Sequence, residues 1–305
     1  MATNNFKPFG IGAGANVTSQ ADYEALAALL TGFQSGKASS AQINKALRQS
    51  TVMASVLAQF ISDSAGVDVL DNGNTAQILA NLKTGMTALT PGRLLNIQVF
   101  YNSGTYTPTI GTKKVIVEMV GGGGGGAGAR AAGPGQVAVG GAGGAGSYAK
   151  GQFTSGFSGV QVTVGSKGLG GTVSDPYASV GGTSSFGSLM TAAGGDTGTP
   201  AGPTSSFPFS TVAAVVSGGA TGANIIGTPG EGASSSAVIS SSVIVDAPGG
   251  SSHFGAGGFI TATNTNGAKG SGYGSGGGPS SVTAGNAAVA GGDGAPGLVI
   301  IWEYA

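Results

Sequence analysis

The chain has 305 residues, 40% of them hydrophobic and 8% charged, and its Lys and Arg balance its Asp and Glu to a formal net charge of zero. That leaves enough apolar side chain for a core and too little charge for disorder. With six basic and five acidic residues before residue 111, and six and seven after it, neither half is an electrostatic magnet for nucleic acid or anionic lipid. There is no cysteine, which excludes a disulfide frame, a thiolate metal site and a cysteine nucleophile.

The first ten residues, MATNNFKPFG, lack a charged leader followed by an apolar stretch. The most apolar early run, Val52 to Ile61, is short and contains Gln59, so no cleaved signal and no membrane span are expected. Ser19 opens a first helix as its N-cap, with Asp22 answering as a carboxylate variant of the capping box. Tyr23, Leu26, Leu29, Leu30 and Phe33 share one broad face before Gly32 or Gly36 stops the helix. A longer second helix begins at Ser39 or Ser40. Ile43, Leu47, Ala54, Leu57 and Ile61 form one stripe and Val52, Val56 and Phe60 another, so it packs against more than one neighbour, another chain among the candidates. Gly66 ends it. Asn74 or Asp71 caps a third helix with Ile78, Leu79 and Leu82 buried, before Gly85. Three helices in so short a module bury little surface, and association would help hold them together.

Pro91-Gly92 marks a turn, Leu94 to Tyr101 alternates like a strand, and Asn102-Ser103-Gly104 reads as a hairpin turn. Lys113 to Val120 is β-branched and alternating, with Val115, Val117 and Met119 on one side. Beyond it the composition changes: 10 of the 62 glycines lie in the first 110 residues and 52 in the last 195. Ordering so much glycine is entropically expensive and needs a structural reason. Gly121 to Gly126 could be a linker, but glycine tracts recur at 140–146, 168–171, 181–182, 194–195, 218–219, 249–250, 257–258, 276–278 and 291–292, interleaved with apolar pieces. Close packing of left-handed polyglycine helices, three residues per turn, is the expectation. Gly181 to Gly187 (GGTSSFG) echoes Gly249 to Gly255 (GGSSHFG), which reads as two equivalent crossings anchored by Phe186 and Phe254. Residues 196–247, rich in Ser, Thr, Val and Pro, and 259–270, rich in Thr and Asn, are the candidate surface loops. The ending, Leu298 to Tyr304, is a strand that must be tied into a sheet, with Lys113 to Val120 as its natural partner.

Chemical motifs are sparse. The strand at Val115 to Val120 precedes glycines, but no helix follows, as a dinucleotide site requires. Gly165-Ser166-Lys167-Gly168 lacks the ending of a phosphate loop and reads as a turn. His253 is the sole histidine, so a Ser-His-Asp device has one route and no supporting spacing. Glycan hydrolysis needs two carboxylates, yet Glu118, Asp175, Asp196, Glu231, Asp246, Asp293 and Glu303 form no cluster, and Glu118 and Glu303 are placed outward on their strands. Aromatics matter more. Tyr177, Phe207, Phe209 and Phe259, with Asn264 and Asn266 in the Thr- and Asn-rich stretch, are the candidate receptor contacts.

Lys114-Val-Ile-Val-Glu-Met-Val120 leading into Gly121 to Gly126, the string at 181–187, Gly272-Tyr-Gly-Ser-Gly-Gly-Gly278 and the ending Gly294-Ala-Pro-Gly-Leu-Val-Ile-Ile-Trp-Glu-Tyr304 resemble the glycine-rich domain of bacteriophage tail fibre proteins. Asn5-Phe-Lys-Pro-Phe9, Ala15-Asn-Val17, Gln20-Ala-Asp-Tyr-Glu24 and Gln59-Phe-Ile61 resemble the N-terminal module shared by many tailed-phage and prophage fibres. The resemblance implies a virion structural protein, assembled in the host cytoplasm. It is trimeric, fixed to the baseplate or tail tip by its N-terminal part, and binds a bacterial surface glycan, outer-membrane protein or pilus through its C-terminal part. It carries over no catalytic residue, metal, cofactor, nucleic acid or membrane insertion. The expected fold is multi-domain α + β, a trimerised three-helix module followed by a glycine-rich β domain with packed polyglycine-type helices and loops. The expected segments are an arm (1–17), a helical attachment module (18–87), a linker with a short strand (88–110) and the receptor-binding domain (111–305). Leu26, Leu30, Leu47, Leu57, Phe60 and Ile61 are the candidate trimer or baseplate contacts. A polysaccharide-degrading spike and a purely structural virion component remain open as alternatives.

Overall fold

The computed structural model describes residues 2–34, 38–90 and 92–305, so Gly36 as a helix stop and Pro91 of the expected turn lie outside the described residues. The chain divides into two compact units, Met1–Pro91 and Gly92–Ala305.

In the first unit, the Ser19 hydroxyl accepts the Asp22 amide at 3.2 Å and donates to its carboxylate at 2.6 Å. The helix this opens is short: α1 spans Gln20–Glu24 and α2 Ala28–Thr31, where one continuous helix was expected. Tyr23 and Leu26 are half-buried, but Leu29, Leu30 and Phe33 are 46, 95 and 52% exposed, so the later part of the apolar face gains little burial within the unit, and propensity alone does not hold a long helix. The long helix α3, Ser40–Ala65, ends at Gly66, which takes the left-handed conformation at φ 66° and ψ 24°. Asn74 caps α4, Thr75–Ala88, by accepting the Gln77 amide at 3.1 Å. Gly85 does not stop α4. A β-carbon there would stand 3.3 Å from the Ser64 Cβ of α3, so this glycine lets the two helices approach. Among its described residues the unit therefore has four helices where three were expected. Its core is small: Ala58, Ile61 and Val69 are buried, with Phe6, Ile78 and Leu82 packed on them. The first residues are tied down by a parallel bridge between Asn4 and Val69.

The second unit contains strands and no helix among its described residues, and every strand pairing is antiparallel. Leu298–Tyr304 lies between Leu94–Phe100 and Lys114–Val120, pairing Trp302 with both Ile97 and Ile116; Tyr148–Phe153 and Ile226–Thr228 complete five strands. The expected union of the chain's last strand with Lys113 to Val120 is therefore present. The turn at 102–104 is not a hairpin, because Gly104–Thr105 crosses to pair with Gln161–Thr163 in a second five-stranded sheet. Val115, Val117, Met119, Val299 and Ile301 of the first sheet bury against Val162, Phe186 and Met190 of the second.

The expectation of packed polyglycine-type helices is overturned: the unit is built on antiparallel β-structure, and its glycine tracts carry no helical element. Their amides bond between segments. Along 121–129, successive N–H groups donate in rotation to three neighbours: Gly121, Gly124 and Ala127 to Ser147, Gly144 and Gly141; Gly122, Gly125 and Gly128 to Gly182, Ser179 and Pro176; Gly123, Gly126 and Ala129 to Ala295, Gly292 and Val289. Three more segments donate to this one, through Gly195 to Gly122, Gly168 and Gly171 to Gly123 and Gly126, and Gly277 to Gly124, at 2.8–2.9 Å. Six crossings thus enclose segment 121–129. β-carbons at positions 121–126 would strike backbone of these same donating crossings in the same rotation, at Ala193, Ser166, Ser275, Asp196, Leu169 and Gly278. No side of the segment has room for a side chain, which is the physical reason for six consecutive glycines.

The register also fixes direction. Partner numbers fall by three as 121–129 rises by three, so 141–147, 176–182 and 289–295 run antiparallel to it, while 168–171 runs parallel. The sheets lie at the end where 121 begins. At the other end, where 129 leaves, the chain turns at 130–139, 172–175, 199–213, 234–246, 259–267 and 281–288. Short pairings link several of these turns, Val137 with Thr204, Val139 with Ala201 and Ser281, and Phe209 with Val238. Residues 196–247, expected as one surface loop, instead re-enter the array twice. Ala214 and Ala233 are 3 and 8% exposed and pack with Ala142, and Ser217 bonds to Ser147 at 2.7 Å.

Candidate functional site

The far end of the array gathers side chains that are distant in sequence. Tyr177 is 59% exposed at the foot of the 172–175 turn, with the Arg130 guanidinium 5.7 Å above its ring centre. Arg130 is the first residue beyond the central segment, and one of its nitrogens donates to the Gly202 carbonyl at 3.1 Å. Phe207 and Phe209 stack with centroids 6.0 Å apart and are half-buried against Val137, Val139 and Val238, so they serve the packing of this end as well as its surface. Phe259 is 58% exposed where its turn begins. Asn264 sits at φ 61°, accepts the Thr283 amide at 2.8 Å and donates to its hydroxyl at 2.9 Å; Asn266 accepts the Ala290 amide at 2.9 Å. Both asparagines brace one loop against the next and spend hydrogen-bonding capacity inside the chain. Sequence reasoning missed Arg130. No sequence signal marked it, because the six far-end turns in which it is the sole Lys or Arg are defined by the fold.

Two carboxylates expected on the surface are buried. Glu303 is 0% exposed: it accepts Tyr106 Oη and Gln98 Nε2, both at 2.7 Å, and the Thr109 amide at 3.3 Å. Burial alone would raise its pKa, but the Thr109, Tyr106 and Gln98 donors outweigh it and hold the carboxyl below its ordinary range. Burial, with Glu303 as acceptor and neighbouring charge, pushes the Tyr106 phenol well up. Glu118 accepts Tyr148 Oη at 2.6 Å, pairs with Lys150 at 3.3 Å and lies 3.9 Å from His253 Nε2, whose ring rests 4.3 Å from that of Tyr148. Burial and Glu118 likewise raise the Tyr148 phenol. These clusters clamp the loops at 105–110 and 251–255 to the first sheet. Phe186 is buried in the core, whereas Phe254, its counterpart in the repeated string, is half-buried beside Tyr148.

No family model matches this chain, and no curated protein does. Among the described residues, no three His, Asp or Glu side chains stand together as metal ligands, and no helix is long and apolar enough to cross a membrane.

The candidates of the first unit separate by burial. Leu30, Leu47, Leu57 and Phe60 are 95, 44, 50 and 39% exposed and Leu26 is half-buried, but Ile61 is 1% exposed and belongs to the core with Ala58 and Val69. Ile61 has no surface to offer a partner. Along α3, Ile43, Met53 and Val56 join Leu47, Leu57 and Phe60 as outward apolar residues.

Proposed function

We propose that this chain is a bacteriophage tail fibre or receptor-binding protein, carried on the virion, that adsorbs to the bacterial surface through its glycine-rich unit. The observation that supports this most is the convergence of six turns at one end of a backbone-packed array. The frame owes its order to main-chain contacts, so the turns can vary in sequence without repacking it, as a recognition surface on a rigid scaffold requires. The resemblance of the first unit to fibre attachment modules supports docking to a baseplate or tail tip. The apolar row on α3, beside so small a core, supports association into a homotrimer. Three copies per fibre would turn weak individual contacts into avid adsorption without any catalytic step.

Binding of fluorescently labelled protein to intact cells of a strain panel tests the reading, with released sugar and native mass measured in parallel. Saturable binding by a trimer without sugar release is the expected outcome. Sugar release would replace it with a polysaccharide-degrading spike, and absence of binding across the panel with a purely structural component.

A further inference from the structure

The enclosed segment 121–129 ends in the middle of its six neighbours, so the residue that follows it emerges amid the turns of the far end. That residue is Arg130, the sole Lys or Arg in those turns. Three other turns meet at it or beside it: Gly202 takes one guanidinium N–H, the Tyr177 ring centre lies 5.7 Å from the guanidinium carbon, and two residues on, Ala132 donates to the Asn286 carbonyl at 3.1 Å. Among the described residues, no carboxylate lies within ion-pairing distance of Arg130. The nearest acid in sequence to Tyr177, Asp175, instead accepts the Tyr177 amide at 3.2 Å. A guanidinium has five donors in a planar fork, and one bond to a carbonyl leaves an edge open for a two-point contact with an anionic group.

We propose that Arg130 and Tyr177 together read an acidic sugar on the bacterial surface, the guanidinium taking its carboxylate and the Tyr177 ring its apolar face. This rests on the adsorption reading above. A sugar ring is favoured over an acidic protein loop by the Tyr177 ring itself, which is 59% exposed beside the guanidinium and offers a flat apolar face. That face matches the apolar face of a pyranose, with the charge beside it matching a ring carboxylate. Arginine held over an aromatic ring is also pre-organised, so little side-chain freedom is lost on binding.

The test compares the full chain with Arg130→Gln, Arg130→Lys and Tyr177→Ala, after thermal unfolding has shown that each retains the array. Two probes are used: host cells bound by the wild type, and an oligosaccharide array bearing uronic-acid sugars beside their carboxyl-reduced counterparts. The expected result is binding to the acidic oligosaccharides but not the reduced ones. Arg130→Gln should lose affinity by roughly tenfold to a hundredfold on array and cells alike, with partial recovery in Arg130→Lys. If Arg130→Gln binds cells as the wild type does, or if protease treatment of the cells abolishes binding while the acidic sugars do not compete, the sugar assignment is overturned and adsorption itself stands. If the wild type binds no cells, the adsorption reading fails. The array then decides the site alone: Arg130-dependent capture of the acidic sugars supports it, and no capture overturns it.

Discussion

Replacing Gly124 with alanine tests whether the second unit is held together by backbone packing. The added β-carbon would meet the Asp196 carbonyl, 2.8 Å from its carbon and 3.0 Å from the Gly195 oxygen. Neither obstacle can rotate away, because both are main chain. Relief requires the 194–198 crossing to shift, which strains the bonds from Gly195 to the Gly122 carbonyl and from Gly144 to the Asp196 carbonyl, both 2.8 Å. Overpacking of this kind costs about 1–3 kcal/mol, and two weakened hydrogen bonds add on the order of 1 kcal/mol each. A loss of about 3 kcal/mol lowers the melting temperature of a unit this size by roughly 6–12 °C. The control is Gly218→Ala, where the nearest atom, Ala193 Cβ, stands 3.8 Å away and the backbone is not left-handed. It should move the transition by no more than about 2 °C. Differential scanning calorimetry on the full chain reads both, with the transition of the helical unit as internal reference. If Gly124→Ala melts within 2 °C of Gly218→Ala, the backbone contacts are not what the unit depends on.

Glu303→Gln should destabilise the second unit by about 1–3 kcal/mol at pH 7, since the amide cannot accept from every donor that the carboxylate does. Because the folded carboxyl titrates below its ordinary range, its contribution is present above the unfolded value and lost as pH falls through the folded one. The gap between wild type and variant should therefore hold across the ordinary carboxylate range and close only as pH falls through the lowered folded value; a gap that closes while pH is still above the ordinary range would contradict the assignment. Asp246 is the opposite case: burial raises its carboxyl, the Ser281 hydroxyl offsets this in part, and Oδ1 is buried without a hydrogen-bond partner. A raised acid favours folding below its unfolded value and loses that advantage as pH rises through its folded one. Asp246→Asn should consequently match wild type near pH 3 and exceed it at pH 7 by about 1 kcal/mol, the low end because the residue is only half-buried. Equal stability at pH 7 would mean that Oδ1 finds a partner. Asn74→Ala should remove the α4 cap and cost the helical unit about 1 kcal/mol in urea unfolding, leaving the second unit unaffected.

Local signals were legible where local chemistry decides. Ser19, Gly66 and Asn74 mark helix ends because their partners lie within a few residues. Alternation over Val115, Val117 and Met119 identifies the core side of that strand, all three being 0% exposed. The two glutamates went astray for different reasons. Leu298 to Trp302 is apolar at every position, so sequence did not distinguish its faces; Glu303 shares the inward one with Val299 and Ile301, and Tyr106 and Thr109, far off in sequence, supply the donors. Glu118 does point away from Val115 and Val117, but Tyr148 and the loop bearing His253 cover that side. The first helix broke because Leu29, Leu30 and Phe33 of its apolar stripe stay exposed while Tyr23 and Leu26 are half-buried, a fact of tertiary context that periodicity does not contain. At the far end, Tyr177 and Phe259 were legible as exposed aromatics, whereas Arg130 gained significance only once the array placed it among the turns.

The rotation of hydrogen bonds along 121–129 has a kinetic consequence. In a helix or a hairpin, fraying of one partner frees a whole row of amides together. Here neighbouring amides depend on different crossings, and the three sets belong to chain stretches separated by dozens of residues. No single loop opening releases two adjacent N–H groups. In deuterium, this helix-free and largely side-chain-free stretch should therefore exchange as slowly as the Val115 to Met119 strand, and only when the whole unit unfolds.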